Sequence, residues 1–165
     1  MSQRELRNSD VNEAVLKRNA DTVYKIAYIR TNNKYDAEDI MQDVFLRFVK
    51  KQPAFDNTEH EKAWFIRTTI NRTNSFFTSA WRRNTVPLDE SLPFSEKSKE
   101  DSILEIVLSL PKDISTAIHL YYYENMSVRD ISSAMSKSES AVKSLLFRGR
   151  KLLKSILSAD FNEKG

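Results

Sequence analysis

The sequence predicts an all-α protein of two small helical domains joined by a flexible linker, and three observations predict it. Apolar residues recur at three and four positions instead of alternating. Only two glycines, Gly149 and Gly165, and four prolines interrupt the 165 residues, so long helices meet few breakers. Near the middle, residues 84–101 lose the periodicity and carry Pro87, Pro93, several serines and the acids Asp89, Glu90, Glu96, Glu100 and Asp101, the composition of a linker. With 40% hydrophobic and 30% charged residues, the chain can bury one moderate core or two small ones.

Residues 1–10 are polar and mixed in charge and read as a tail; residues 11–83 read as the first domain. Its first helix runs from Val11 to Arg30 on Val15, Val23, Ile26 and Ala27, and closes around Thr31, Asn32 and Asn33. Ala37, Ile40, Met41, Val44, Phe45, Phe48 and Val49 mark one face of a second helix, with Asp36 as N-cap and Pro53 as the stop. A polar loop from Pro53 to Glu59 leads to a third helix, Glu61 to Trp81, whose apolar positions include Trp64, Ile66, Ile70, Phe77 and Trp81.

Residues 102–158 read as the second domain and 159–165 as a tail. Ile103, Leu104, Val107 and Leu110 open it, and Pro111 suits the first turn of a helix carrying Ile114, Ala117, Ile118 and Tyr121. That helix ends near Glu124 and Asn125, asparagine being well suited to the left-handed conformation that closes helices. Ser127 caps the next helix, with Asp130 completing an approximate capping box, and Val128, Ile131 and Met135 face inward. After the tight turn Ser136–Lys137–Ser138, Ser138 caps a helix bearing Ala141, Val142, Leu145, Leu146, Leu152, Leu153 and Ile156. Two short capped helices across so short a turn spell a helix-turn-helix.

The formal charge of +3 and pI near 9.0 are only mildly basic, so the distribution of charge says more than its sum. Zero cysteines exclude disulfides, Cys-ligated zinc and Cys nucleophiles, and fit a reducing cytoplasm. No apolar run reaches the roughly 20 residues of a membrane span, so a cytoplasmic protein without direct membrane insertion is expected. His60 and His119 stand alone and there is no glycine-rich phosphate loop. The sequence therefore points to no enzyme, no metal and no cofactor.

Binding chemistry is better represented. The final helix offers Lys143, Ser144, Arg148, Arg150, Lys151 and Lys154, with Glu139 its only acid before Asp160. Such a helix can present its first turns to base edges in a major groove and its cations to phosphates. The third helix interleaves Arg67, Asn71, Arg72, Arg82 and Arg83 with Trp64, Phe65, Phe76, Phe77 and Trp81, a composition suited either to stacking unpaired bases or to filling a core. Asp36, Glu38, Asp39 and Asp43 suit a helix dipole or a basic partner.

Three motifs in order resemble the extracytoplasmic-function type of the sigma-70 family. YDAEDIMQDVFLRFVKK, Tyr35 to Lys51, is similar to region 2.2, with its D-x-x-Q-[DE] core as Asp39, Gln42 and Asp43. AWFIRTTINR, Ala63 to Arg72, resembles the signature opening the promoter-melting helix, and Leu110 to Lys154 resembles region 4. The resemblance implies a bacterial factor that gives core RNA polymerase its promoters. It implies docking of Asp39, Gln42 and Asp43 on the beta-prime coiled coil, and contacts of the last helix with the beta flap. It implies minus-ten contacts from Phe55, Trp64 and Asn71, with Arg67, Arg72, Arg82 and Arg83 on the strand backbone. Minus-thirty-five contacts would come from Ser138, Ser140, Lys143, Ser144, Arg148, Arg150 and Lys151, and an anti-sigma factor is the implied regulator. The chain departs from the pattern at Asn125 and Ser136, where glycines are usual, at Lys137, usually apolar, at Leu145, often arginine, and at Ser75–Phe76, where an acidic-aromatic pair is common. The residues alone leave two alternatives: a helix-turn-helix regulator that is no polymerase subunit, and a helical module binding an acidic protein.

Overall fold

The computed structural model describes the backbone of residues 3–83 and 105–163, and the side chains of 8–78 and 105–158. The expected linker, Ile103, Leu104, and the side chains of Trp81, Arg82 and Arg83 lie outside the described residues. Among the described residues every regular element is helical, and the chain divides into two units, Met1–Thr85 and Val86–Gly165.

The first unit packs three helices mutually: α1 (Gln3–Thr31), α2 (Lys34–Lys51) and α3 (Thr58–Arg83). Val15, Val23, Ala27, Ala37, Ile40, Val44, Phe48 and Phe65 form its centre, and Phe55, Trp64 and Phe76 pack against it. Helix α1 begins at Gln3, so most of the expected polar tail is helical: residues such as Arg4, Glu5 and Leu6 have high helix propensity and extend a helix already nucleated by packing. Val49 stays 45% exposed, so it does not join the core face on which the periodicity places it.

Asn32 takes a left-handed backbone, φ 52°, and its N–H closes on the Tyr28 carbonyl. Asn33 follows in extended conformation and accepts from the amides of Tyr35 and Asp36 at 2.9 and 3.1 Å. Asn33 is thus the N-cap, and Asp36, expected in that role, sits in the first turn. Gln52, also left-handed, ends α2 just before Pro53. Asn57 accepts from the His60 amide at 2.7 Å and starts α3 three residues before the expected Glu61.

A polar network ties α1 to α3. Arg18 donates to both carboxylate oxygens of Glu61 at 2.6 and 2.7 Å, and Asn19 adds a third donor at 2.7 Å. These bonds, Arg18's above all, hold the buried Glu61 carboxyl below the ordinary carboxylate range. Farther along, the buried Arg30 donates to Thr73 at 2.7 Å and Asn74 at 2.6 Å.

In the second unit, residues 105–109 are helical and Pro111 holds the N-cap position of α4 (Lys112–Ile118), one place earlier than the first turn. The chain then widens into a π turn, His119–Tyr123, before Asn125 at φ 55°. The expected continuous helix is interrupted because carbonyls of this turn bond five and six residues ahead, His119 to the Glu124 amide and Leu120 to that of Met126. His119 lies in the interior, stacked on Tyr123.

Ser127 caps α5 (Val128–Met135), accepting from the Asp130 amide at 3.1 Å. Ser136 takes the left-handed turn position at φ 54°, and Ser138 caps α6 (Glu139–Glu163) through the Ala141 amide at 3.0 Å. Ser132 bonds the Lys137 carbonyl and the Lys137 amine reaches Asp113 at 3.4 Å, so polar contacts close a turn that usually carries an apolar side chain. Ile114, Ala117, Ile118, Leu120, Ile131, Ala134, Met135, Val142, Leu145 and Leu146 are buried, while Val128 is only half-buried. Gly149 lets α6 approach α4: a Cβ there would stand 2.7 Å from Ile118 Cγ1 and 3.0 Å from Ile114 Cγ2.

Candidate nucleic-acid interface

Helix α6 divides cleanly. Val142, Leu145, Leu146 and Gly149 face the core, and Ser138, Ser140, Lys143, Ser144, Arg148, Arg150 and Lys151 are all exposed. Ser140, Lys143, Ser144, Arg148 and Arg150 line one open depression together with Phe147, which is 66% exposed. The basic pattern of the helix does not single out Phe147, although its spacing of three and four from Ser144 and Lys143 places it on the same face. Leu145, where a cation is often found, contributes to the core instead.

Arg150 is held more closely than its neighbours' exposure suggests. Its Nε donates to the Tyr122 hydroxyl at 2.5 Å, and its guanidinium carbon lies 5.5 and 5.6 Å from the ring centroids of Tyr121 and Tyr122. The hydrogen bond to Tyr122 raises the Arg150 pKa further, so it stays a cation at any accessible pH. Periodicity could not disclose this contact, because it joins residues 28 apart in sequence.

On α3, Arg67 and Asn71 are exposed one turn apart, and Asn74, Ser75 and Thr78 continue the stripe. Asn74 is anchored from behind by Arg30. Trp64 is half-buried and meets Phe55 edge-on at 6.0 Å, and Phe55 also lies parallel to Phe48 at 6.4 Å and edge-on to His60 at 5.5 Å. The Pro53–Asn57 loop is therefore pinned to the start of α3 by rings. Phe65 is fully buried and Phe76 partly, so the aromatic run serves core and surface at once.

On α2, Asp39 and Gln42 are exposed, whereas Asp43 accepts from Arg72 Nε at 2.8 Å and Nη2 at 2.7 Å. The structure thus joins two residues for which the resemblance implies different surfaces, polymerase docking for Asp43 and strand contact for Arg72. Burial and the adjacent Asp39 push the Asp36 carboxyl above its ordinary value. Among the described residues no group of three His, Cys, Asp or Glu side chains could hold a metal ion, and no helix is long and apolar enough to cross a membrane.

Comparison with known proteins adds the lineage of this arrangement. Residues 15–83 match the family Sigma-70 region 2, and residues 100–153 match Sigma-70, region 4. The ECF RNA polymerase sigma factor BldN of Streptomyces coelicolor is 29% identical over 153 residues, which cover 86% of this chain and 58% of BldN. The RNA polymerase sigma factor SigV of Bacillus subtilis is 28% identical over 136 residues, covering 79% of this chain and 81% of SigV. A solved structure of the sigma factor RpoE in complex with the anti-sigma factor NepR, from Bartonella quintana, aligns with a TM-score of 0.74 at 19% identity. It covers 93% of this chain and 98% of that one, a likeness of fold.

Proposed function

This chain belongs to the sigma-70 family, among the extracytoplasmic-function factors, and from that premise we propose that it directs core RNA polymerase to particular promoters. The exposed, basic, serine-bearing face of α6 on a capped helix-turn-helix is the observation that carries the reading. A helix of this kind enters a major groove with its first turns on base edges, here Ser138, Ser140, Lys143 and Ser144, and with Arg148, Arg150 and Lys151 toward phosphates. That duplex is the minus-thirty-five element.

The α3 stripe handles the opened minus-ten strand. Asn71 offers both donor and acceptor groups to a base edge, Arg67 is a cation one turn away, and Phe55 and Trp64 form an apolar wall with ring faces for stacking. Capture of unpaired bases exchanges duplex stacking for protein contacts and so stabilises melting without bond chemistry. Arg72 serves this site through its bond to Asp43, orienting α3 against α2; in the sequence, Arg82 and Arg83 add two cations for the strand backbone. Asp39 and Gln42 present the docking surface for the basic beta-prime coiled coil of the polymerase, with Asp43 shared between the two tasks. The beta flap and an anti-sigma factor complete the partners.

Reconstitution tests the reading. The chain mixed with bacterial core polymerase and genomic DNA should yield transcripts that share upstream elements at fixed spacing. Transcripts no different from those of core polymerase alone would sink it, and a chain that binds DNA but fails to pull down core polymerase would instead be a separate regulator.

A further inference from the structure

Arg150 is set apart by the way it is held. The two rings beside its guanidinium come from the π turn and stand edge to face at 4.9 Å, so the cation lies against a formed aromatic corner. Its Nε is bonded to Tyr122, which leaves four of its five N–H donors on the two terminal nitrogens. Arg150 is also exposed and borders the same open depression as Ser140, Lys143, Ser144 and Arg148. Immobilising a long side chain at the moment of binding weakens affinity by roughly two- to tenfold, a cost that this corner meets in advance.

We propose that Tyr121 and Tyr122 are positioning residues that hold Arg150 ready to clamp one phosphate of the upstream duplex, at the edge of the groove read by α6. The proposal deepens the promoter reading above and rests on it. A planar guanidinium fixed from its Nε side presents its terminal nitrogens to two phosphate oxygens at once. Phosphate contacts orient a protein on its duplex and carry no sequence information directly, so Arg150 sets the register of α6 and leaves base choice to its neighbours. The device depends on the π turn, which carries the three tyrosines 121–123 and leaves Tyr122 54% exposed beside α6.

The test uses holoenzyme reconstituted from the full chain and core polymerase. Its probe is the duplex that the wild-type holoenzyme enriches from a pool randomised upstream of the start site. Arg150→Gln should bind that duplex about tenfold more weakly, with a slope of log affinity against log salt shallower by about one. Replacing phosphates singly by neutral methylphosphonates should reveal one position that weakens the wild type and leaves Arg150→Gln unchanged. Tyr122→Phe keeps the ring and removes the hydroxyl; it should weaken binding about threefold in the wild-type background and hardly at all beside Arg150→Gln. Unchanged affinity and slope for Arg150→Gln, or fully additive losses, would overturn the proposal and leave the contact a brace between the π turn and α6. A wild-type holoenzyme that enriches no sequence overturns the promoter reading itself, and this proposal with it.

Discussion

Glu61 is 6% exposed and accepts from Arg18 twice and from Asn19 once, so its charge is stable only because those donors are in place. Glu61→Gln should cost about 1 to 3 kcal/mol, read from urea melts followed by tryptophan fluorescence, since both tryptophans lie in the first unit. The folded carboxyl has a lowered pKa, so its contribution is fully present well above the ordinary value of 4.5 and is lost as pH falls through the lowered one. The acid limb of the wild-type stability curve should therefore be steeper than that of Glu61→Gln, with parallel curves above neutrality. Gly149 is the second sensitive residue. Gly149→Ala places a methyl 2.7 Å from Ile118, and overpacking of about 1 to 3 kcal/mol should outweigh the roughly 1 kcal/mol that alanine gains over glycine in a helix. Circular dichroism melts would record the loss, and Ile118→Val should recover part of it. In the sequence, Glu61 reads as a helix-start acid and Gly149 as a lone helix breaker; each acquires its meaning from a partner more than 30 residues away.

Helix boundaries follow side chains that bond the backbone within a few residues, and most of them can be read in the sequence. Ser127 and Ser138 cap as their spacing predicts, Asn125 takes the left-handed backbone, and Gln52 ends α2 just before Pro53. The start of α2 is one exception, where Asn33 and Asp36 are both good caps and the tight turn at Asn32 decides for Asn33. Asn33→Ala should cost about 1 kcal/mol of first-unit stability, while Asp36→Ala should be close to neutral. Equal losses for the two in urea melts would reassign the cap. The π turn is less legible, since the run from Ile114 to Tyr121 fits an ordinary helical period and the extra residue is accommodated only where Glu124 and Met126 find their carbonyls. Val49 shows the same limit, because an apolar residue at the margin of a helical face is covered only if a neighbouring helix reaches it.

Across the molecule, the proposed tasks fall on separate surfaces, and within the first unit strand capture on α3 and polymerase docking on α2 should be separable by mutation. Asn71→Ala should leave core polymerase affinity near the wild-type value and impair promoter opening, measured by permanganate reactivity of unpaired thymines. Asp39→Arg should do the reverse, weakening polymerase association in a pull-down while sparing DNA contacts. Asp39 separates the functions more cleanly than Asp43, because reversing the charge of Asp43 would also strand Arg72. A matching loss of both activities in Asn71→Ala would mean that the α3 stripe serves the fold and not the strand. Binding of holoenzyme to its promoter should fall steeply with salt as phosphates exchange counterions for protein cations.

The sequence by itself determined the helical class, the helix-turn-helix with its serine caps, and the three motifs that identify the lineage. These depend on periodicity and on contacts within a few residues, which a chain carries locally. Only the tertiary structure decided that Asp43 binds Arg72, that the aromatic run is divided between core and surface, and that Arg150 rests on two tyrosines beside α6. Those facts depend on which distant side chains packing brings within 3 to 6 Å of one another, and local pattern holds no record of that.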